Sequence, residues 1–176
     1  RSRKLPHSLT IPVAEFHQCP EIDVATDGAD DIGPGLALIK GGGGALLHEK
    51  IVASASRRFI VIADSTKVVR RLGKVPLPVE VIPAASPLVA RKLVQMKIRP
   101  TIRRLDTGSE FITEEGNLIL DCDCGEIQDP DALAASLRNI VGVVEHGLFL
   151  HMAERVLVSD GGEVRTLYRR GSYDAQ

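Results

Sequence analysis

Residues 21–67 read EIDVATDGADDIGPGLALIKGGGGALLHEKIVASASRRFIVIADSTK, and this stretch decides the fold. Glu21–Thr26 (EIDVAT) alternates and is rich in β-branched side chains, which predicts a strand. It runs into Asp27-Gly28-Ala29-Asp30-Asp31, a loop of turn formers. Leu36–Ile39 is a short apolar run, read as a second strand, and it leads into Lys40 and four glycines, Gly41–Gly44. Ala45–Arg57 predicts a helix and Arg58–Ala63 (RFIVIA) a buried strand, with Asp64-Ser65 capping a short helical turn. Strand, glycine-rich loop, helix, strand is the signature of parallel strands in an α/β layer.

Working outward, the pattern changes near Gly73. Val75–Ile82 (VPLPVEVI) is extended, and its prolines point to a hinge or an edge strand. Ser86-Pro87 predicts a helix start as cap and first turn, with Val89, Leu93 and Met96 on one face. Thr101–Leu105 reads as a strand. Phe111–Thr113 and Asn117–Asp121 read as a hairpin around Glu114-Glu115-Gly116. Asp129-Pro130 starts a helix that buries Leu133, Leu137 and Ile140, and Val143–Glu145 is a short strand. The order β-α-β-β-α-β is that of the ferredoxin-like split βαβ unit. A last hairpin pairs Arg155–Ser159 with Glu163–Tyr168 through Asp160-Gly161-Gly162. Upstream, Leu9–Val13 reads as a short strand. The expected organisation is therefore α/β. Residues 1–73 and 148–170 form a Rossmann-like parallel-sheet domain, residues 74–147 a ferredoxin-like α+β subdomain, and residues 171–176 a disordered tail.

Composition narrows the function classes. Twenty-two Lys+Arg stand against 23 Asp+Glu, a net charge of -1 in 176 residues. Such balance argues against nucleic acid or an anionic membrane surface as the main partner. The hydrophobic share of 44% and the charged share of 26% fit a globular chain. Aromatics make up only 3%, with no Trp, so the core must be aliphatic and stacking platforms for nucleic acid are not expected. No apolar run approaches the ~20 residues that span a bilayer. No apolar stretch of signal-peptide type follows the basic Arg1–Lys4. Cys19, Cys122 and Cys124 are too few for a disulfide scaffold, and reduced thiols in a cytoplasmic protein are the simplest reading. The chain opens on Arg1 rather than Met, which reads as a chain joined partway through a domain.

The densest chemical signal lies between Asp27 and Glu49. Asp27 and Asp30 leave the C-terminal end of a strand, the edge where open α/β sheets bind ligands. Lys40 and Gly41–Gly44 leave another strand and open a helix. Glycines let backbone N–H groups approach an anion, and a helix N-terminus adds about half a positive charge. Singly, each of these is an ordinary turn. Together at two strand ends they favour a site for a polar ligand. On the helical wheel Glu49 sits between Ala45, Val52, Ala53 and Ser56, a small apolar face where a carboxylate is partly desolvated and becomes a better base. A solvated Glu favoured by the helix dipole fits the same pattern. Lys67 follows the strand Phe59–Ala63 and reaches the same edge, or is ordinary surface. His48 points about 100° away from Glu49 along the helix. Cys122 and Cys124 share a strand face, but no Cys/His cluster completes four metal ligands. There is no GxSxG, HExxH or Walker A motif.

These residues carry a resemblance. EIDVATDGADDIGPGLALIKGGGGALLHEKIVA, FIVIADSTK, LGKVPLPVEVIP, GNLILD and GVVEHGLFLHMAERV resemble the A-type family of ribose-5-phosphate isomerases, from about Leu9 to Leu167. The resemblance implies interconversion of ribose 5-phosphate and ribulose 5-phosphate without metal or nucleotide cofactor. It implies Glu49 of HEK as general base, working through an enediolate. Asp27, Gly28, Ala29 and Asp30 of DGAD would bind sugar hydroxyls and assist ring opening. Lys40, with Gly41, Gly42 and Gly43, would hold substrate and stabilise negative charge on oxygen, and Lys67 of DSTK would bind substrate. A homodimer or homotetramer is implied, with the α+β unit as a second, smaller subdomain. The family carries a strand and a GTGST-like phosphate loop upstream of DGAD. Residues 1–26 show no match to it, so the resemblance is to an N-terminally incomplete member. Competing readings are a sugar-phosphate sensor on the same fold, an inactive fragment, and a coenzyme A transferase relative. The retained Glu49 and Lys40 argue against the sensor. The DGAD motif and the small second subdomain argue against the transferase.

Overall fold

The alternating β-branched segment after Glu21 forms β1 (Ile22–Asp27), which is followed by two-residue strands β2 (Asp31–Ile32) and β3 (Leu38–Ile39). Then come α1 (Leu46–Ala55), β4 (Ser56–Asp64) and β5 (Leu77–Val81). The α+β stretch continues with α2 (Ser86–Gln95), β6 (Arg99–Ile102), β7 (Leu118–Asp123), α3 (Pro130–Arg138) and β8 (Val143–His146). The chain closes with β9 (Leu148–Phe149), β10 (Ala153–Asp160) and β11 (Glu163–Tyr168). The structure, a computed structural model, describes Ala14, Phe16–Gln18 and residues 21–169; the strand expected at Leu9–Val13, Cys19 and the expected tail lie outside the described residues.

The first sheet has the order β1-β4-β10-β11. β1 runs parallel to β4, β4 parallel to β10, and β11 returns antiparallel as the expected hairpin. Parallel strands with a crossover helix give the Rossmann-like α/β layer. Ala25, Ala53, Phe59, Val61, Phe149, Val156 and Val158 pack as one core. Two expectations need correction. β4 is not buried on both faces: Phe59 and Val61 face the core, but Ile62 is 55% exposed and shares the open face with Val24. A continuous apolar run does not reveal which face is covered. Moreover, the strand that leads into the glycine loop is not part of the parallel sheet. β3 is two residues long and sits in a separate antiparallel sheet, β2-β3-β9.

The second layer has the order β6-β7-β5-β8, all neighbours antiparallel. With α2 and α3 as crossovers, this is the split βαβ arrangement of the ferredoxin-like unit. Its core takes Ile39, Leu72 and Leu148 together with Val79, Leu93, Leu120 and Leu137, so residues flanking the unit are built into its interior. Asp129 caps α3 as expected, accepting the Ala132 N–H at 2.9 Å. Ser86 does not cap α2: a 3-10 turn, Pro83–Ala85, leads in, and Ala85 occupies the cap position without a side-chain bond. The expected arm Phe111–Thr113 is not a strand and meets β7 only at the Ile112–Leu118 bridge.

The prolines do not put residues 75–82 at an edge. β5 is central, between β7 and β8. Pro78 fits because the carbonyl opposite its missing N–H is taken elsewhere. Its own carbonyl accepts the Gly147 N–H at 2.8 Å. Gly147's carbonyl, which an ordinary ladder would pair with residue 78, accepts the Lys40 N–H at 2.9 Å. Gly147 is also a point of close approach, since a Cβ there would lie 2.3 Å from the Lys40 carbonyl oxygen. Gly147→Ala should therefore destabilise the fold by about 3 kcal/mol. Urea unfolding should show this as a lower midpoint with an unchanged slope.

Candidate functional site

β1 ends at Asp27, and Gly28–Asp30 turn the chain across the C-terminal edge of the parallel sheet. β3 delivers Lys40 to the same edge, and Gly41–Gly44 bend into α1. The bend needs glycine: Gly41 has φ +99°, and a Cβ there would meet the Leu46 Cβ at 2.6 Å. Glu49 lies in the first turn of α1, and Lys67 ends the 3-10 turn Ser65–Lys67 after β4. That turn is capped by Asp64, which accepts the Thr66 N–H at 2.9 Å.

Asp27, Gly28, Ala29, Asp30, Lys40, Gly41, Gly42, Gly43, Glu49 and Lys67 all line one cavity of about 240 Å³. Every residue the sequence put forward for a polar-ligand site is brought together there. The cavity is smaller than the roughly 300–1,000 Å³ of sites for drug-sized ligands, so it suits a small polar molecule.

Lys40 is the hub. It is only 3% exposed, and its Nζ donates to the Gly28 carbonyl at 2.5 Å. The same Nζ lies 3.0 Å from Asp27 Oδ2 and 3.2 Å from Glu49 Oε2. The Phe149 ring sits beneath it, 5.4 Å away. Asp30 Oδ2 accepts the Gly42 N–H at 2.8 Å and so ties the DGAD turn to the glycine loop. Lys67 lines the cavity and has no hydrogen bond or close ion pair among the described residues, its charge acting on Asp64 at longer range.

Burial holds the Glu49 carboxyl above its ordinary value near 4.5, and the neighbouring Asp27 and Asp30 charges push the same way against the opposing pull of Lys40. The helical-wheel expectation of a partly desolvated Glu49 matches this environment. A second, apolar hollow of Ala25, Val52, Ala53 and Phe59 lies on its other side. A carboxyl held above its ordinary value takes up its proton at higher pH, so any activity that needs Glu49 ionised should fall on the acid side with a midpoint above 4.5. A pH–rate profile from pH 4 to 9 reads it.

Sequence patterns missed the groups that hold the site from the second layer. Lys50, beside Glu49, is buried and donates to Glu145 Oε1 at 2.7 Å and to the His146 carbonyl at 2.5 Å. Burial lowers the Lys50 pKa, and it also lowers that of His146, helped by the Lys50 charge, to about 4. His146 thus stays neutral in the fold while an unfolded His takes up a proton near pH 6.5. Its contribution to stability is present above pH 6.5 and is lost as pH falls towards 4. Urea unfolding should lose roughly 2 kcal/mol between pH 7.5 and pH 5, and His146→Gln should flatten the loss. Earlier in α1, His48 reaches Glu115 Oε1 at 2.5 Å and Glu114 Oε2 at 3.4 Å. Arg103 bonds the glycine loop directly. The sequence contains the adjacency HEK and the segment VEHG, but no local pattern puts residues about 95 apart side by side.

Asp31 is not a site residue. It is fully buried, and its Oδ2 accepts the N–H groups of Gly73, Lys74 and Val75 at 3.1, 2.9 and 3.3 Å. Burial pushes the Cys122 thiol well above its usual range and that of Cys124 up to about 11, which disfavours the thiolate in both. Among the described residues no group of three or more His, Cys, Asp or Glu is arranged to hold a metal ion. No helix among them is long and apolar enough to cross a membrane.

A buried lysine between two carboxylates, in a glycine-lined cavity at the edge of a parallel sheet, fits an α/β enzyme that handles a small polar molecule. Residues 1–163 match the family described as ribose 5-phosphate isomerase A (phosphoriboisomerase A). The chain belongs to that family. It is 52% identical over 156 residues to the ribose-5-phosphate isomerase A of Roseiflexus sp. (strain RS-1), covering 88% of this chain and 67% of the relative. Its fold matches the crystal structure of ribose 5-phosphate isomerase A from Neisseria gonorrhoeae with TM-score 0.89 and 39% identity, over 96% of this chain and 74% of the other. A D-ribose-5-phosphate isomerase in complex with phospho-erythronic acid matches with TM-score 0.91 and 38% identity, over 95% and 74%. The chain thus spans about two thirds to three quarters of the length of the relatives it matches.

Proposed function

We propose that the chain interconverts D-ribose 5-phosphate and D-ribulose 5-phosphate by proton transfer through an enediolate, with Glu49 as the base. The observation that carries the reading is the Lys40 ammonium, within 3.2 Å of Glu49 and 3.0 Å of Asp27 in a cavity lined by Gly41–Gly43. The phospho-erythronic acid held by a structural relative is a sugar-acid phosphate of related shape, which supports a sugar-phosphate substrate here.

Asp27 and Asp30 hold sugar hydroxyls and carry the proton of the anomeric O1 hydroxyl to the ring oxygen O4 as the C1–O4 bond breaks and O1 becomes the aldehyde oxygen. Glu49 removes the proton from C2. The C2–H electron pair forms the C1=C2 double bond, and the carbonyl π pair moves onto O1. Lys40 and the glycine amides stabilise that negative charge in a partly water-excluded site, where such donors count for most. O1 is then protonated, with Asp27 moving the proton from O2, and Glu49 returns its own proton to C1, leaving the ketone at C2. One base serves both carbons because the two transfers share a face. Lys67 binds substrate. No step draws on a metal or a nucleotide. The assembly belonging to this reading is a homodimer or homotetramer, which light scattering measures.

Turnover in D2O tests the chemistry. Recovered ribose 5-phosphate should carry deuterium at C2. Complete retention of hydrogen over many turnovers would replace proton transfer with a hydride shift.

A further inference from the structure

We propose that Arg103 is a positioning residue for this reaction: it turns the peptide units of the glycine loop so that one N–H holds Asp30 and the next is left for substrate. The proposal rests on the isomerase reading of the same cavity and adds to it a residue from the second layer.

Arg103 follows β6 and is largely buried, with its side chain 14% exposed. Its Nη1 donates to the Gly41 carbonyl and to the Gly42 carbonyl, both at 3.0 Å. Its other edge is engaged by Asp121 on β7, with Nε donating to Oδ2 at 2.9 Å and Nη2 to Oδ1. The fork is therefore held from behind by a bidentate carboxylate and held in front against two consecutive carbonyls.

The consequence follows from peptide planarity. Within one peptide unit the C=O and the next N–H point in opposite directions. The Gly41 carbonyl faces Arg103, so the Gly42 N–H points away from it, and it is bonded to Asp30 Oδ2 at 2.8 Å. The Gly42 carbonyl also faces Arg103, so the Gly43 N–H points away as well. Among the described residues that N–H has no partner, and Gly43 lines the cavity. Gly41–Gly43 carry no side chains to resist a peptide flip; inside the loop the Gly41 carbonyl accepts only the Gly44 N–H at 3.0 Å, and Arg103 adds the anchor from outside that also holds the Gly42 carbonyl. Phe111 completes the seat. Its ring lies 5.8 Å from the guanidinium, and it packs so close to Gly44 that a Cβ there would sit 2.3 Å from its Cζ. Arg103 is 54 residues from Glu49, and it reaches the loop only because β6 and β7 pair with each other.

The test compares Arg103→Ala, Arg103→Lys and Asp121→Asn with the unsubstituted chain. The first readout is kcat/KM for ribose 5-phosphate, and the second is amide hydrogen exchange at Gly42 and Gly44. Arg103→Ala should lower kcat/KM about 100-fold, the effect of losing one oriented oxyanion donor. It should speed exchange at both glycines at least tenfold while amides of β5 and β7 stay protected. Lysine cannot span two carbonyls and a carboxylate, so Arg103→Lys should resemble Arg103→Ala. Ethylguanidinium added to Arg103→Ala should restore part of the rate, which a merely structural arginine would not allow. Asp121→Asn keeps the guanidinium and should lose less than Arg103→Ala. If Arg103→Ala fails to fold, Asp121→Asn and Arg103→Lys carry the comparison. Normal kcat/KM with normal exchange at Gly42 and Gly44 would overturn the proposal while leaving the isomerase reading intact. If the unsubstituted chain shows no turnover, that reading fails, and unchanged glycine exchange would then overturn the brace on its own.

Discussion

Glu49→Gln should lower kcat for ribose 5-phosphate isomerisation by about 10³-fold, within the 10²–10⁴ range of a positioned general base. Glutamine has nearly the same shape and still reaches Lys40, 3.2 Å away in the native site, but it cannot take a proton from carbon. KM should therefore change by no more than a few fold. Steady-state kinetics separates the two parameters. The acid limb of the residual pH profile should also lose the raised midpoint that burial gives Glu49. A variant that kept turnover would remove Glu49 from the role of base. A chain that only senses sugar phosphate would bind it in both forms and turn over in neither.

Lys40→Met should lower kcat/KM by about 10²–10³-fold. Methionine fills the buried volume, so the loss is of charge more than of packing. Three contacts disappear together: the Gly28 carbonyl, Asp27 and Glu49. Two carboxylates then face each other with no cation between them. The Lys40 charge is what opposes burial at Glu49, and the repulsion from Asp27 remains. The Glu49 pKa should consequently rise further, and the acid limb of kcat/KM should move to higher pH. A lysine that only bound substrate would raise KM and leave kcat in place, although the limb would move in either case. The fall in kcat, read alongside a urea unfolding curve that shows an intact fold, is the distinguishing result.

The site was legible in the chain because its parts are local. Asp27 to Asp30, Lys40 to Gly43, Glu49 and Lys67 are punctuation at strand ends, where glycine, acids and lysine stand out against apolar runs. All of them meet in one cavity. What was not legible depends on the second layer. Arg103 is 61 residues from Gly42, and Lys50 is 95 from Glu145. Nothing in the spacing of either pair reports that strand pairing brings them together. The same holds for Pro78, which reads as an edge residue. It is central because Gly147 gives its carbonyl to Lys40, a contact between segments over 100 residues apart. β4 illustrates a different limit. Its apolar run marks a strand, yet whether Ile62 is covered depends on what packs on that face.

The most direct measurement is a ribose 5-phosphate to ribulose 5-phosphate assay on this 176-residue chain with EDTA present. The account predicts turnover that EDTA does not reduce, because Glu49, Lys40 and the acids supply every proton and charge the reaction needs. A folded chain with no turnover, or one whose turnover EDTA abolishes, would contradict it.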